Sequence, residues 1–151
     1  AMSAEQIFSL CSMVAMAGWA GLVLAPRWTV TRDWVAPVVA PLLIAGFYIW
    51  LMTSTTPPAG GGFGSLKEVT VLFSDPNLLL AGWIHYLAFD LFVGAWEVRD
   101  AQRHGIHHLL VIPCLFATLI AGPAGLALYW LVRVVVTLIK RGQNQTEGTA
   151  A

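Results

Sequence analysis

The sequence has little charge and contains no basic or acidic tract. Only 11% of its 151 residues are charged, and eight lysines and arginines balance eight aspartates and glutamates. A chain without a strong field of one sign is a poor ligand for nucleic acid, so we exclude nucleic acid as a partner. The two cysteines, Cys11 and Cys114, lie far apart in apolar runs, which is not the spacing of a disulfide framework.

Recognisable catalytic and cofactor motifs are missing as well. We find no nucleophile elbow, no phosphate loop and no dinucleotide fingerprint. The turn RDAQRHGIHH is rich in histidine, but its spacing matches no zinc signature, since it is neither H-E-x-x-H nor a C-x-x-C pair. We therefore predict no cofactor and no metal.

Hydrophobic residues are abundant and lie in long runs. They make up 58% of the chain, and the mean hydropathy is +0.73, values typical of an integral membrane protein. A helix needs roughly 20 apolar residues to cross a hydrocarbon core about 30 Å thick. The runs that meet this length are Gln6 to Ala25, Trp34 to Met52 and Asn77 to Val98.

A fourth apolar segment, from His107 to Ile139, is too long for one upright span. At its midpoint, residues 122–125 read GPAG, where proline and glycine permit either a kink or a reversal of the chain. If the chain reverses there, all of the eight basic residues except Lys67 share one face of the membrane. Because basic residues favour the cytoplasmic side, we prefer the reversal and a cytoplasmic C-terminus.

These patterns predict an all-α membrane protein with a bundle of four to five transmembrane helices. Five are preferred, with the last two joined by the GPAG turn. The stretch SLKEVTVLF has helical spacing of its apolar residues and an S-x-x-E capping box from Ser65 to Glu68, which indicates a short interfacial helix. We expect one domain over residues 1–141 and a disordered polar tail over residues 142–151.

The third predicted span carries ionisable groups in the stretch HYLAFDLFVGAWEVRD, residues 85–100. On a helical wheel His85, Asp90, Glu97 and Asp100 fall within one arc of about 140°. A carboxylate in mid-span costs several kcal/mol unless it is paired, protonated or facing water. Asp90 is therefore the main functional candidate, with structural pairing as the alternative. Glu97 and Asp100 fit equally an interfacial salt-bridge cluster with Arg99 and Arg103.

Aromatic and histidine side chains surround these carboxyl groups in the sequence. Trp83, Tyr86, Phe89 and Trp96 are candidates for the wall of a lipophilic pocket, although tryptophans near span ends are also typical of an interfacial belt. His107 and His108 join Glu97 and Asp100 as a candidate polar cluster. Helix capping and hydrogen bonding are the simpler interpretation of these histidines, and metal binding is the alternative.

Three motifs together resemble one known family. They are W-x-H-Y-x-x-F-D-L-x-V-G-x-W from Trp83 to Trp96, G-I-x-H-L-L-x-x-P-C-L-x-x-T from Gly105 to Thr118, and G-P-A-G-L-x-L-Y from Gly122 to Tyr129. The combination is similar to the abscisic-acid-deficient-four-like membrane family, whose plant members are associated with neoxanthin synthesis from violaxanthin. The resemblance implies a small multispan protein that acts on, or binds, a long apolar isoprenoid.

The same resemblance implies a non-redox isomerisation that opens an epoxide and forms an allene. Such a reaction needs a proton donor at the epoxide oxygen and a base at a vinylic carbon. On this interpretation Asp90 is the acid and His85 the base, and the aromatic residues hold the polyene. The partners would be membrane lipid and a lipophilic polyene or isoprenoid, and the sequence leaves a homo- or hetero-oligomer open.

Two other functions fit the same residues. One is a non-catalytic subunit that binds pigment or lipid in a larger membrane complex. The other is a metal-dependent membrane hydrolase that uses Asp90, Asp100 and the histidines. A glycine-rich middle loop, with no transit-peptide region before the first apolar run, leads us to expect a bacterial inner-membrane protein.

Overall fold

A computed structural model describes residues 2–149, with the side chains of residues 2–144. Within these residues the chain is helical and has no strand. The elements are α1 (Ala4–Leu24), a π-helical segment (Val30–Val39) that continues as α2 (Ala40–Ser54), α3 (Leu66–Leu72), α4 (Pro76–Arg103) and α5 (His108–Thr149). Four helical stretches are long and apolar enough to cross a membrane. The predicted all-α membrane bundle is confirmed.

Side-chain caps begin three of the helices. Ser3 and Gln6 form a reciprocal capping box at α1, and Asp75 accepts hydrogen bonds from two backbone amides at α4. At α3, Ser65 accepts from the Glu68 amide as the sequence predicts, at 3.2 Å. The Glu68 carboxylate accepts from the Gly64 amide, at 2.9 Å, and not from the Ser65 amide that a capping box would use. Only the Ser65 half of the predicted box is therefore formed as expected.

The second membrane helix begins earlier than the hydropathy of the sequence predicts. Its first part is π-helical, and the Ala40 amide donates to the Val35 carbonyl, five residues back. Pro37 lies inside this part and has no N–H to donate, which disfavours regular α-helical hydrogen bonding. The helix consequently includes the charged residues Arg32 and Asp33, which hydropathy places in a loop.

Helix α4 is the centre of the bundle and packs against α1, α2 and α5. Its buried side includes Leu91, Ala95 and Val98, each at most 1% exposed. Small residues permit close packing here: the Trp19 ring of α1 lies over Gly94, where a Cβ would come within 2.6 Å of it. The side of this helix opposite its carboxyl groups therefore packs against protein rather than lipid.

Helix α5 reverses its direction at Ala121, the one residue within it with non-helical φ and ψ. The Lys140 ammonium lies 2.8 Å from the Gly105 carbonyl oxygen, although a straight helix would place residue 140 about 48 Å from residue 108. Pro123 lies in the first turn after the reversal. Backbone N–H groups in a first turn have no helical acceptor, so proline costs no hydrogen bond there. The predicted turn at GPAG is thus a hairpin and not a kink.

The turn of this hairpin lies about halfway along α4. Gly122 is next to the Asp90 side chain, whereas Lys140 is next to the residues that follow the end of α4. The first limb, residues 108–120, is about 20 Å long, shorter than a hydrocarbon core of about 30 Å. This geometry is typical of a re-entrant segment, and it brings an irregular stretch of backbone to the middle of the bundle.

Chemical cross-linking should detect the hairpin directly. In a background with Cys11 and Cys114 replaced by alanine, we expect His104→Cys and Lys140→Cys to be joined by a short bis-maleimide reagent. The pair Leu66→Cys and Lys140→Cys should not react. Leu66 begins α3, and Leu72 at the end of this short helix lies beside Leu78 at the start of α4. Mass spectrometry of tryptic fragments measures both yields, and equal yields would contradict the reversal.

Basic residues gather at one end of the bundle, as the charge count predicts. Arg32 is bonded to Gln102, Arg133 to Asp100 and Lys140 to the carbonyl of His104, all at the C-terminal end of α4. The location of this end in the cytoplasm stays a prediction. Residues 142–149 are helical, where the sequence predicts a disordered tail, and residues 150 and 151 lie outside the described part of the chain.

Candidate functional site

Two carboxyl groups of α4 face the α5 hairpin. Glu97 is fully buried, and its Oε1 accepts a hydrogen bond of 2.9 Å from the Thr118 hydroxyl. Among the described residues, neither Glu97 Oε2 nor Asp90 Oδ2 has a partner, although both atoms are buried. Unpaired carboxyl oxygens inside a membrane helix are costly, which makes this pair the strongest candidate for a functional site.

Glycines of the hairpin make room for these groups. A Cβ on Gly122 would overlap the Asp90 carboxyl group, and a Cβ on Gly125 would overlap the backbone and hydroxyl of Thr118. Both glycines are buried. Their small size allows the turn to approach α4 closely and holds Thr118 against Glu97.

Tyr86 connects the Asp90 region to the turn. Its hydroxyl donates a hydrogen bond of 2.7 Å to the Leu119 carbonyl, one of the carbonyls that the end of the first limb leaves without a helical partner. Tyr86 precedes Asp90 by one helical turn and also interacts with its carboxyl group. Asp90 therefore lies between a phenol and the irregular backbone of the hairpin.

Asp100 belongs to a second group, which ties α4 to the second limb of the hairpin. Its Oδ2 accepts from the Tyr129 hydroxyl at 2.6 Å and from Arg133 Nε at 3.0 Å. Arg133 Nη2 also donates to His104 Nε2 at 2.9 Å, so His104 carries its hydrogen on Nδ1, which lies 2.8 Å from the Asp100 carbonyl. A salt-bridge cluster beside Arg99 and Arg103 was one of two equal interpretations of Asp100 in the sequence, and the structure shows an ion pair whose partner is Arg133.

The predicted aromatic wall is not one surface in the structure. Trp83 stacks on Phe8 of α1, with 6.0 Å between ring centroids. Trp96 packs instead against Tyr129 at 5.5 Å and lies about 20 Å from Trp83 along the helix axis. These two tryptophans therefore cannot line one compact pocket.

His85 and Asp90 project from different sides of α4, about 140° apart around the helix axis. The His85 ring stacks on Phe89 at 4.6 Å and lies near Tyr48 of α2 at 5.7 Å, whereas Asp90 faces α5. No hydrogen bond joins His85 to Asp90 in the part of the chain that the structure describes. The catalytic roles of both residues stay predictions, and the group beside Asp90 is Tyr86.

The remaining histidines have structural partners. His107 Nδ1 accepts from the Leu109 amide at the start of α5, at 3.3 Å, and His108 Nε2 lies 3.0 Å from the Val23 carbonyl of α1. These contacts agree with capping and hydrogen bonding. In the described chain, no three His, Cys, Asp or Glu side chains are placed to hold a metal ion together, so nothing in the geometry favours the metal-dependent hydrolase.

Sequence reasoning missed Thr118, Tyr129 and Arg133, which supply the contacts of Glu97 and Asp100. Thr118 and Tyr129 do end the second and third of the motifs that carry the family resemblance. A polar residue at the end of an apolar motif was the available signal. The residue that Thr118 or Tyr129 contacts, however, depends on the fold of the hairpin.

Comparisons with known proteins agree with the resemblance. Residues 6–129 match the family described as ABA4-like, ABA DEFICIENT 4-like, and this range contains the Asp90 and Glu97 region and the hairpin turn. No curated protein and no solved structure matches the chain. Because the matched range covers far more than half of the sequence, the chain belongs to the ABA DEFICIENT 4-like family.

Proposed function

We propose that this protein is a membrane enzyme that isomerises a long apolar isoprenoid by acid and base catalysis, without a redox cofactor. Membership of the family supports the substrate class, because plant members are associated with the conversion of violaxanthin to neoxanthin. The observation that carries the proposal is the Asp90 carboxyl group. It lies at mid-helix beside the hairpin turn and has a buried oxygen without a partner among the described residues.

Asp90 in its protonated form can perform both proton transfers. One oxygen donates its proton to the epoxide oxygen as the C–O bond breaks. The other oxygen accepts a proton from the vinylic carbon, and the electron pair of that C–H bond forms the new double bond of the allene. The carboxyl group is then protonated again, and no oxidant or reductant is consumed. His85 is not needed as the base, which suits its position on another side of α4.

Replacement of Asp90 by asparagine should separate catalysis from binding. Asparagine keeps the shape of the side chain but cannot exchange a proton at neutral pH, so we expect Asp90→Asn to retain the polyene and to lose turnover by about 100-fold or more. The assay uses purified protein in liposomes with an epoxidised carotenoid, with products separated by chromatography. Asp90→Asn with the turnover of the unaltered protein would refute the role of Asp90.

Two controls belong to this experiment. Glu68→Gln removes a carboxylate from α3 but keeps a side-chain oxygen that can accept from the Gly64 amide, so it should leave turnover unchanged. His85→Gln distinguishes the one-carboxyl mechanism from an acid and base pair, because the one-carboxyl mechanism predicts that turnover falls by only a few fold. A loss as large as that of Asp90→Asn would restore His85 as the base.

A non-catalytic, polyene-binding subunit is the second candidate, and the surface of the bundle favours it. An apolar groove of about 390 Å³ runs between α1 and the start of α4, with Phe8, Leu79 and Trp83 in its wall. Aromatic rings beside an open groove can bind a rod-shaped polyene without chemistry. A protein that retains a carotenoid but never converts any epoxidised carotenoid would support this function over the enzyme.

A further inference from the structure

A basic cavity of about 520 Å³ opens at the end of the bundle where α4 terminates. Its wall consists of Arg32, Asp33, Arg99, Gln102 and Arg103. Three arginines and one aspartate give this wall a net charge of +2. The cavity shares no residue with the Asp90 region, so the proposed isomerisation does not account for it.

Arg32 is held rigidly and supplies little free charge. Its Nε and Nη2 donate to the two oxygens of Asp33, at 2.7 and 2.5 Å, and its Nη1 donates to Gln102 Oε1 at 2.6 Å. Gln102 donates in turn to the Pro26 carbonyl at 2.7 Å. The Arg32 and Asp33 pair is neutral as a unit, so the excess positive charge belongs to Arg99 and Arg103.

Arg99 and Arg103 lie one helical turn apart on α4, and the charge of each also acts on the Asp33 carboxylate. Neither guanidinium takes part in a hydrogen bond or an ion pair within the part of the chain that the structure describes. Like charges at this spacing repel and destabilise a helix. A guanidinium presents a fork of N–H donors that matches the oxygens of a phosphate, so a phosphate between the two would relieve the repulsion and satisfy both.

The cavity lies beside residues that mark the surface of a membrane. Trp28 and Trp34, which flank Arg32 in the chain, are 60% and 65% exposed, and exposed tryptophan rings favour the level of the lipid headgroups. We propose that Arg99 and Arg103, supported by the fixed Arg32 and Gln102, bind the phosphate group of an anionic phospholipid. A soluble phosphate has the same chemistry and is the other source to be tested.

Native mass spectrometry of the purified full-length chain in detergent tests this site, with phosphatidylglycerol and phosphatidylcholine titrated separately. The double variant Arg99→Gln/Arg103→Gln should weaken phosphatidylglycerol binding about 30-fold, since each arginine near an anionic surface contributes roughly 5-fold. The control Arg27→Gln/Arg141→Gln removes two exposed charges outside this cavity. Neither side chain would hydrogen-bond a phosphate held between Arg99 and Arg103, so binding should weaken by less than about 3-fold. Neither variant should lower the melting temperature of the unaltered protein, because none of these four guanidinium groups has a hydrogen bond or ion pair in the described chain. Removal of Arg99 and Arg103 also ends their mutual repulsion.

Inorganic phosphate serves as the second probe in the same titrations. If inorganic phosphate binds with the same dependence on Arg99 and Arg103 while phosphatidylglycerol does not, the phosphate site stands and its ligand is soluble. Equal binding of phosphatidylglycerol and phosphatidylcholine would overturn the proposal, as would equal losses in the two double variants. None of these outcomes depends on turnover, so the isomerase could fail and this site still be established.

Discussion

Gly125→Ala should unfold the α5 hairpin and leave the protein unstable in detergent. A methyl group at this position would overlap the backbone nitrogen and Cα of Thr118, and backbone atoms cannot move aside as a flexible side chain can. We expect a loss of at least about 3 kcal/mol in the free energy of unfolding, the upper range for overpacking in a rigid site. Thermal unfolding followed by circular dichroism in mild detergent measures it.

Gly46→Ala is the matched control for this variant. Gly46 also lies inside a membrane helix, but nothing is within 4 Å of the position that its Cβ would occupy. Replacing glycine with alanine in an open helical position removes backbone freedom from the unfolded chain and should stabilise the protein by about 0.5 to 1 kcal/mol. Equal melting temperatures for the two variants would mean that the limbs of the hairpin are not in close contact.

The sequence predicts this hairpin but not its depth. Proline and glycine at residues 122–125 indicate a break, and the distribution of arginine and lysine indicates which way the chain turns. Neither signal specifies where along α4 the turn lies, because that depends on packing. Gly122 and Gly125 fix the level through contacts with Asp90 and Thr118, and such contacts between distant residues have no periodic pattern in the sequence.

The candidate site was predicted in part for a similar reason. Helical periodicity places Asp90 and Glu97 on one side of α4, because seven residues make almost two full turns, and the structure confirms that both face α5. His85 precedes Asp90 by five residues, which places the two side chains about 140° apart around the helix axis. Positions that far apart can face different neighbouring helices. Asp90 consequently lies next to Tyr86 and the hairpin, and His85 next to Tyr48.

Asp100→Ala should cause the other large loss of stability, about 3 kcal/mol in the free energy of unfolding. The change leaves Arg133 without the carboxylate that lies 3.0 Å from its Nε. It also leaves the buried Tyr129 hydroxyl without the acceptor of its hydrogen bond. Removal of one partner from a largely buried ion pair costs more than the pair contributes, because the remaining charge is desolvated and unpaired. Melting temperature in detergent is again the measurement.

Two further variants assign this loss to the buried contacts rather than to a missing aspartate. Asp33→Ala breaks an ion pair with Arg32 in which the aspartate side chain is 34% exposed, and exposed pairs contribute at most about 1 kcal/mol. Tyr129→Phe removes only the hydroxyl, which should cost about 1 to 2 kcal/mol and add less than its full value in the Asp100→Ala background. If Asp100→Ala melted at the same temperature as Asp33→Ala, the second limb would be held against α4 by apolar packing and by the contacts of Lys140 with the His104 and Gly105 carbonyls, and not by Asp100.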